Sequence, residues 1–326
     1  MPKVLIAPMT LAKKQGPHLT LFRDAGFDLV FPERPVQLVE SELLEILPGI
    51  DAVLAGSEPY TAKVLNANPG LRVIARVGVG YDAVDVATAT ERGIAVAIAP
   101  GTNQDAVAEQ TLCLMLALVK NLISQHAGVK AGGWPRGTNL ALRGLTLGIA
   151  GLGRIGKAVA LRAAAFDMRL LAYEPFPDAA FAAKHHVTFV PFEQLLAESD
   201  FVSLHLPLTA ESKYIINKRT LGLMKPTAFL INTARGALVC EADLLAVLRE
   251  KRIAGAGLDV FEDEPPGHNP IFELNNVVLT PHAAGVDVRS LSDMTISAAE
   301  AIVALSRGEW PAEKIVNPQV RSRFRW

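Results

Sequence analysis

Three stretches in the second half of the chain, Asn232-Thr233-Ala234-Arg235-Gly236, Asp259-Val260-Phe261-Glu262-Asp263-Glu264-Pro265 and Pro281-His282-Ala283-Ala284-Gly285, put an Arg, a Glu and a His just after three separate apolar runs. The residue types define a chemistry. An Arg guanidinium keeps its charge, and its planar fork engages carboxylate and carbonyl oxygens together. A His titrates at about pH 6.5 and so gives or takes a proton around neutrality. A Glu beside it would orient the imidazole and raise its pKa. Arg235, Glu264 and His282 therefore read as an anion clamp with an acid/base pair. Each also has a plain alternative: a surface ion pair, one solvated charge of Glu262-Asp263-Glu264, and a structural His among seven. Their shared place at the carboxyl ends of predicted strands, where open α/β sheets bind ligands, favours the chemical reading.

Upstream, Leu145 to Ala150 reads as a buried strand that runs into Gly151-Leu152-Gly153-Arg154-Ile155-Gly156 and then an Ala-rich helical stretch. This is a dinucleotide-binding turn in its proper context. Gly151 permits the tight bend, Gly153 lets backbone approach a pyrophosphate, and Gly156 lets helix and strand pack closely. The helix N-terminus adds free N–H groups and a positive dipole end. Glu174, 23 positions after Gly151, suits a carboxylate that hydrogen-bonds the adenosine ribose. It would repel a 2′-phosphate, and Pro175-Phe176-Pro177 supplies no cation to receive one. NAD is expected rather than NADP.

The elements that must position these residues form two α/β series. The first has strand candidates at Val4 to Ala7, Leu29 to Phe31, Ala52 to Ala55, Arg72 to Ala75 and Ala95 to Ala99, with Gly or Pro in many connections. A long helical segment lies between Asn103 and Asn121, and Gly128 to Leu142 reads as an irregular arm. The second series has strands at Leu145 to Ala150, Arg169 to Tyr173, Phe201 to Leu206, Ala228 to Asn232, Gly257 to Val260 and Val277 to Thr280. Six strands is the usual number for a doubly wound dinucleotide domain. A last helix is expected at roughly Arg289 to Ser306, with Asp287 as its N-cap.

The glycine turn and the Arg, Glu, His series in that order resemble the D-isomer-specific 2-hydroxyacid dehydrogenase family, and the resemblance covers nearly the whole chain. It implies two Rossmann-like, flavodoxin-like α/β domains with doubly wound parallel sheets and a cleft between them. Residues 1–101 plus 287–326 would form a discontinuous substrate-binding domain, and residues 102–286 the NAD-binding domain. The helix after Asn103 would cross between domains and help build a homodimer. Arg154 and Ile155 would touch the pyrophosphate, His205, Pro207 and Thr233 would line the nucleotide cleft, and Asp259 would hold the nicotinamide carboxamide. Arg76-Val77-Gly78-Val79-Gly80-Tyr81-Asp82 is, as residues alone, a glycine-rich βα turn. In the family the backbone N–H groups of Val77, Gly78, Val79 and Gly80 would bind the substrate carboxylate from the side opposite the Arg, and domain closure would exclude water.

The activity implied is reversible hydride transfer between NADH and a small 2-oxo acid. Formate dehydrogenases of this superfamily carry Gln where this chain has Glu264, which disfavours that branch. Phosphoglycerate dehydrogenases commonly have Arg-Ser after the strand that here ends in Ala55-Gly56-Ser57-Glu58. Gly56 replaces the Arg and Glu58 adds a negative charge, so glyoxylate or hydroxypyruvate is preferred over phosphohydroxypyruvate. A different class of function remains open in the corepressors that share this fold and bind NAD as interaction platforms.

Bulk properties agree. The 326 residues, half of them hydrophobic, suffice for two domains with their own cores. Lys plus Arg (32) against Asp plus Glu (33) leaves a net charge of −1, so no basic excess recruits nucleic acid or acidic lipid. Two distant cysteines, Cys113 and Cys240, make neither a disulfide framework nor a zinc site. His185 and His186 are adjacent, which is not metal-ligand spacing, and no metal is expected. The apolar run Leu112 to Val119 is far short of the roughly 20 residues a membrane span needs, and residues 1–9 lack a signal-peptide core. A cytoplasmic protein with small-molecule partners is expected.

Overall fold

The computed structural model describes residues 1–12 and 15–326, in two compact units: Met1–Asn103 with Val286–Trp326, and Gln104–Gly285. In the first unit, strands β1 (Lys3–Ile6), β2 (Asp28–Val30), β3 (Ala52–Ala55), β4 (Val73–Arg76) and β5 (Ala95–Ala97) alternate with helices α1 (Pro17–Asp24), α2 (Glu40–Ile46), α3 (Ala62–Ala67) and α4 (Val86–Glu91). All pairings are parallel, in the order β2-β1-β3-β4-β5. Apart from Lys3, Asp28 and Arg76 at strand ends, the short strands are built of Val, Ile, Leu and Ala, because both faces of a parallel sheet are covered. One face packs on Leu19 and Phe22 of α1 and on Met294, Ala298 and Ile302 of the C-terminal helix. The other packs on Leu43, Val64, Leu65 and Ala89. Each fully buried Leu, Ile or Val contributes about 1.5–3 kcal/mol relative to exposure.

The second unit opens with α5 (Gln104–Val119) and α6 (Leu122–Lys130). It continues through β6 (Thr146–Ala150), α7 (Arg154–Ala164), β7 (Arg169–Tyr173), α8 (Ala179–His185), β8 (Val187–Phe189), α9 (Phe192–Glu198) and β9 (Phe201–Leu204). Then come α10 (Lys218–Leu221), β10 (Phe229–Asn232), α11 (Glu241–Arg249), β11 (Gly255–Leu258) and β12 (Val277–Leu279). The chain returns through α12 (Val288–Ser306), whose N-cap Asp287 accepts from the Ser290 N–H at 2.6 Å, as the sequence suggests. The second sheet runs β12-β11-β10-β9-β6-β7-β8, all parallel. Its first strand β6 lies mid-sheet, and the winding reverses between β6 and β9. Such a reversal is where doubly wound sheets bind nucleotides.

Two elements differ from the sequence reading. The sheet has seven strands, not six, because Val187–Phe189 adds an edge strand beside β7. The expected arm beginning at Gly128 starts inside α6, so only the part from Ala131 to Leu145, just before β6, is irregular. Among the described residues no single helix is long and apolar enough to cross a membrane. Helix α5 is instead buried against the sheet, close enough that a Cβ on Gly257 would lie 3.0 Å from Leu114 Cβ.

Candidate active site

Where β6 ends, the chain turns sharply between two neighbours. Gly151 has φ +99°, and a Cβ there would lie 2.7 Å from the His205 carbonyl carbon, so only glycine fits. A Cβ on Gly156 would overlap the Gly151 carbonyl oxygen, which is how α7 comes so close to β6. Gly153, the N-cap of α7, is different: an added Cβ would meet nothing within 4 Å, and no side chain caps the helix. The turn therefore has a packed side at Gly151 and Gly156 and an open side at Gly153, where Arg154 and Ile155 begin the helix. Glu174 follows β7 and accepts the Leu152 N–H at 2.8 Å and the Phe176 N–H at 3.0 Å. An open, uncapped helix N-terminus with a carboxylate fixed on its rim suits a dinucleotide with a free ribose 2′-hydroxyl.

Further along the same strand ends, His205 follows β9. Its Nε2 lies 2.8 Å from Ser203 Oγ, and its buried Nδ1 has no hydrogen-bond partner among the described residues. Burial lowers its pKa to about 3, so it is neutral. Pro207 lies two residues on, at the surface. Thr233, after β10, is buried and shares a 3.0 Å hydroxyl contact with Thr111 of α5.

Arg235, Glu264 and His282 lie beyond β10, β11 and β12, three adjacent strands. The Arg235 turn is held by Asn232, whose side-chain amide donates to the Arg235 carbonyl at 2.8 Å and accepts the Ala234 N–H at 3.1 Å. Gly236 presses on the next loop, where a Cβ would clash with the Phe261 carbonyl. In that loop Glu264 Oε1 accepts the Phe261 N–H at 3.0 Å, while Oε2 stands 2.5 Å from His282 Nδ1. Burial pushes the Glu264 carboxyl up. The hydrogen bond and charge of His282, the Phe261 N–H and the charge of Arg235 reverse this and leave it below the ordinary carboxylate range. Glu264, His282 and the charge of Arg235 are thus brought together in one unit.

Asp259, at the end of β11, is wholly buried and organises the His282 turn. Its Oδ1 accepts from Thr280 Oγ1 at 2.5 Å and the Ala283 N–H at 3.0 Å, and its Oδ2 accepts the Ala284 N–H at 2.9 Å. Its carbonyl accepts the His282 N–H at 2.7 Å. The sequence reading gave Asp259 to the nicotinamide carboxamide, and it missed this brace. Asn232, Thr280 and Gly236 were likewise missed, although an Asn three residues before the Arg is a recognisable Asx-turn signal.

Two expectations in the first unit need correcting. The Val77 N–H donates to the Ala55 carbonyl at 2.8 Å and extends the β3–β4 ladder, so it is not an anion donor. The carbonyl of Gly78 accepts from the Ala99 N–H at 2.9 Å and that of Gly80 from Arg76 Nε at 2.8 Å. In a trans peptide the following N–H points the opposite way, which turns the N–H groups of Val79 and Tyr81 away from those anchors. Glu58 is 1 % exposed and faces inward, so it adds no negative charge to the surface.

A family model described as the D-isomer specific 2-hydroxyacid dehydrogenase NAD binding domain matches residues 112–284. The chain belongs to this family. It is 42% identical over 286 residues to a glyoxylate reductase of Korarchaeum cryptofilum, covering 85% of this chain and 86% of the relative. It is 40% identical over 284 residues to a D-3-phosphoglycerate dehydrogenase of Methanocaldococcus jannaschii, covering 86% of this chain but 54% of that longer protein. The crystal structure of a D-lactate dehydrogenase from Aquifex aeolicus, complexed with NAD and lactic acid, matches with a TM-score of 0.86 at 27% identity over 97% of this chain and 99% of that one. This member of the D-isomer-specific 2-hydroxyacid dehydrogenases is an NAD-dependent oxidoreductase acting on a CH–OH group, with small 2-hydroxy or 2-oxo acids as substrates.

Proposed function

We propose that this dehydrogenase reduces glyoxylate or hydroxypyruvate to the D-2-hydroxy acid, with Arg235, Glu264 and His282 as its catalytic residues. The 2.5 Å contact between Glu264 Oε2 and His282 Nδ1 carries this reading. NADH, when bound, supplies the hydride. Arg235 holds the substrate carboxylate and polarises the carbonyl. Because Glu264 engages Nδ1, that nitrogen carries a proton and Nε2 is the one left for substrate. In reduction His282 Nε2 gives a proton to the carbonyl oxygen, and in oxidation it removes one from the hydroxyl. The loop Gly78 to Gly80 binds the substrate carboxylate through backbone N–H groups, with Val79 the donor best placed and Val77 held in the sheet. Gly153, Arg154 and Ile155 receive the pyrophosphate on the turn that Gly151 and Gly156 allow to close, and Glu174 receives the adenosine ribose. His205, Pro207, Thr233 and Asp259 shape the nucleotide side.

The relatives' names support glyoxylate first and phosphohydroxypyruvate second. Purified protein is expected to oxidise NADH with glyoxylate or hydroxypyruvate at a kcat/KM at least about tenfold above that for phosphohydroxypyruvate. A preference for phosphohydroxypyruvate would reverse the assignment.

A homodimer is part of the same proposal, and Leu122, Ile123, Val129, Trp134 and Leu140 support it. All are more than half exposed, and Leu122 lines an apolar hollow of about 570 Å³ on α5 and α7. A cytoplasmic location without nucleic-acid or membrane partners fits the near-zero net charge.

A further inference from the structure

In the acidic run Glu262-Asp263-Glu264, Glu262 is open to solvent, yet its N–H and both of its carboxylate oxygens are engaged. Glu262 Oε1 accepts the Glu241 N–H at 2.6 Å, and the Glu262 N–H donates back to Glu241 Oε1 at 2.7 Å. Glu241 is the first residue of α11, where N–H groups have no partner inside the helix and the dipole end is positive, so a carboxylate is well received. The other Glu241 oxygen, Oε2, accepts from Asn269 Nδ2 at 2.6 Å. Glu241 thus fastens the loop after β11 at Glu262 and again at Asn269, and Glu264 lies between these two points.

Tyr214, in the connection between β9 and α10, is a third support. Its hydroxyl donates to Glu262 Oε2 at 3.1 Å, and its N–H donates at 2.9 Å to the carbonyl of Ala237, which closely follows Arg235. The hydrogen bond and charge of Glu262 raise the Tyr214 pKa, so the hydroxyl keeps the proton it donates. Tyr214 sits at φ +52°, a left-handed conformation that a tyrosine keeps only where surrounding bonds hold it, and its carbonyl accepts from Asn217 Nδ2 at 2.8 Å. One residue therefore joins the segment after Arg235, through its backbone, to the loop that carries Glu264, through its side chain. The Arg235 turn has its own support in Asn232, whereas Glu264 is tied to its loop through the N–H of Phe261, the neighbour of Glu262. Releasing Glu262 would therefore displace Glu264 more than Arg235.

We propose that Glu262 is a positioning residue for proton transfer: its reciprocal bonds with Glu241 and its bond from the Tyr214 hydroxyl set the loop so that Glu264 meets His282 Nδ1. The proposal rests on the reading that Glu264 orients His282.

The test compares steady-state rates with glyoxylate and NADH for wild type, Glu262→Ala, Glu262→Gln, Tyr214→Phe, Glu264→Gln and the double variant Glu262→Ala with Glu264→Gln. Glu262→Ala removes both carboxylate bonds and is expected to lower kcat about tenfold, with KM for glyoxylate and Kd for NADH within about twofold of wild type. Glu262→Gln keeps an oxygen for the Glu241 N–H and an amide facing Tyr214, so its kcat should stay within about twofold of wild type. Tyr214→Phe deletes one bond, should lower kcat about threefold, and serves if Glu262→Ala does not fold. Added to Glu264→Gln, Glu262→Ala should lower kcat by less than about twofold, because the brace acts through Glu264. A folded Glu262→Ala enzyme with wild-type kcat, a loss in Glu262→Gln as large as in Glu262→Ala, or a further loss of about tenfold on top of Glu264→Gln would overturn the role of Glu262. If Glu264→Gln itself keeps wild-type kcat, the reading of Glu264 falls and the proposal with it. If Glu264→Gln is impaired while Glu262→Ala is not, only the proposal falls.

Discussion

The two ring nitrogens of His282 have different surroundings, with Nδ1 at 2.5 Å from Glu264. That carboxyl is depressed despite its burial, chiefly through the hydrogen bond and charge of His282. A depressed carboxyl contributes stability that is fully present above its unfolded pKa and is lost as pH falls through its folded value. Glu264→Gln is therefore expected to destabilise the protein by about 1–2 kcal/mol near neutrality, a difference that closes in acid. Urea unfolding of both proteins across pH checks the sign, and a gap that widens in acid would contradict it. The same variant is expected to lose about 10²-fold in kcat, because the imidazole is no longer oriented. The residue types and order made Arg235, Glu264 and His282 legible in the sequence. Glu58 was not, since a charged residue in a Ser-Glu-Pro loop reads as exposed until the fold turns it inward. Val77 was misread for a related reason: the alternation of free and bonded N–H groups in a loop depends on where the preceding strand stops pairing.

The elements work through close approach at strand ends. Gly236 brings the β10 turn against Phe261, and Asp259 ties the β12 turn to β11. Gly236→Ala would drive a methyl into the Phe261 carbonyl and is expected to cost about 1–3 kcal/mol. Because the same shift moves Arg235 away from Glu264, kcat/KM should fall further than the melting temperature alone explains. Calorimetry together with steady-state rates checks this, and an unchanged enzyme would mean the two loops are not braced through Gly236. Most strands were readable as apolar runs bounded by Gly, Pro or Asp. β8 escaped because Val-Thr-Phe is three residues long and lies at an edge, where Thr188 is exposed. α6 escaped because none of its residues is buried, so its sequence carries no one-sided apolar pattern to follow.

At the scale of the whole molecule, that unburied helix has a consequence. Large apolar groups left open on α6 and the following segment are what a subunit interface would cover. Sedimentation is expected to give a dimer, and Leu122→Glu with Ile123→Glu is expected to yield monomers at micromolar concentration. A monomeric wild type would remove that reading. The doubly wound sheet and its glycine turn were legible because such folds write their phosphate site into local sequence. The choice among 2-oxo acids was not, because it depends on burial and charge balance in loops. The most direct measurement is the kcat and KM of Arg235→Ala with glyoxylate and NADH, beside the Kd of NADH for the same protein. A loss of about 10²–10³-fold in kcat/KM, shared between KM and kcat, with NADH affinity intact, is expected of a residue that clamps the substrate and polarises its carbonyl. Retained activity, or lost NADH binding, would contradict that assignment.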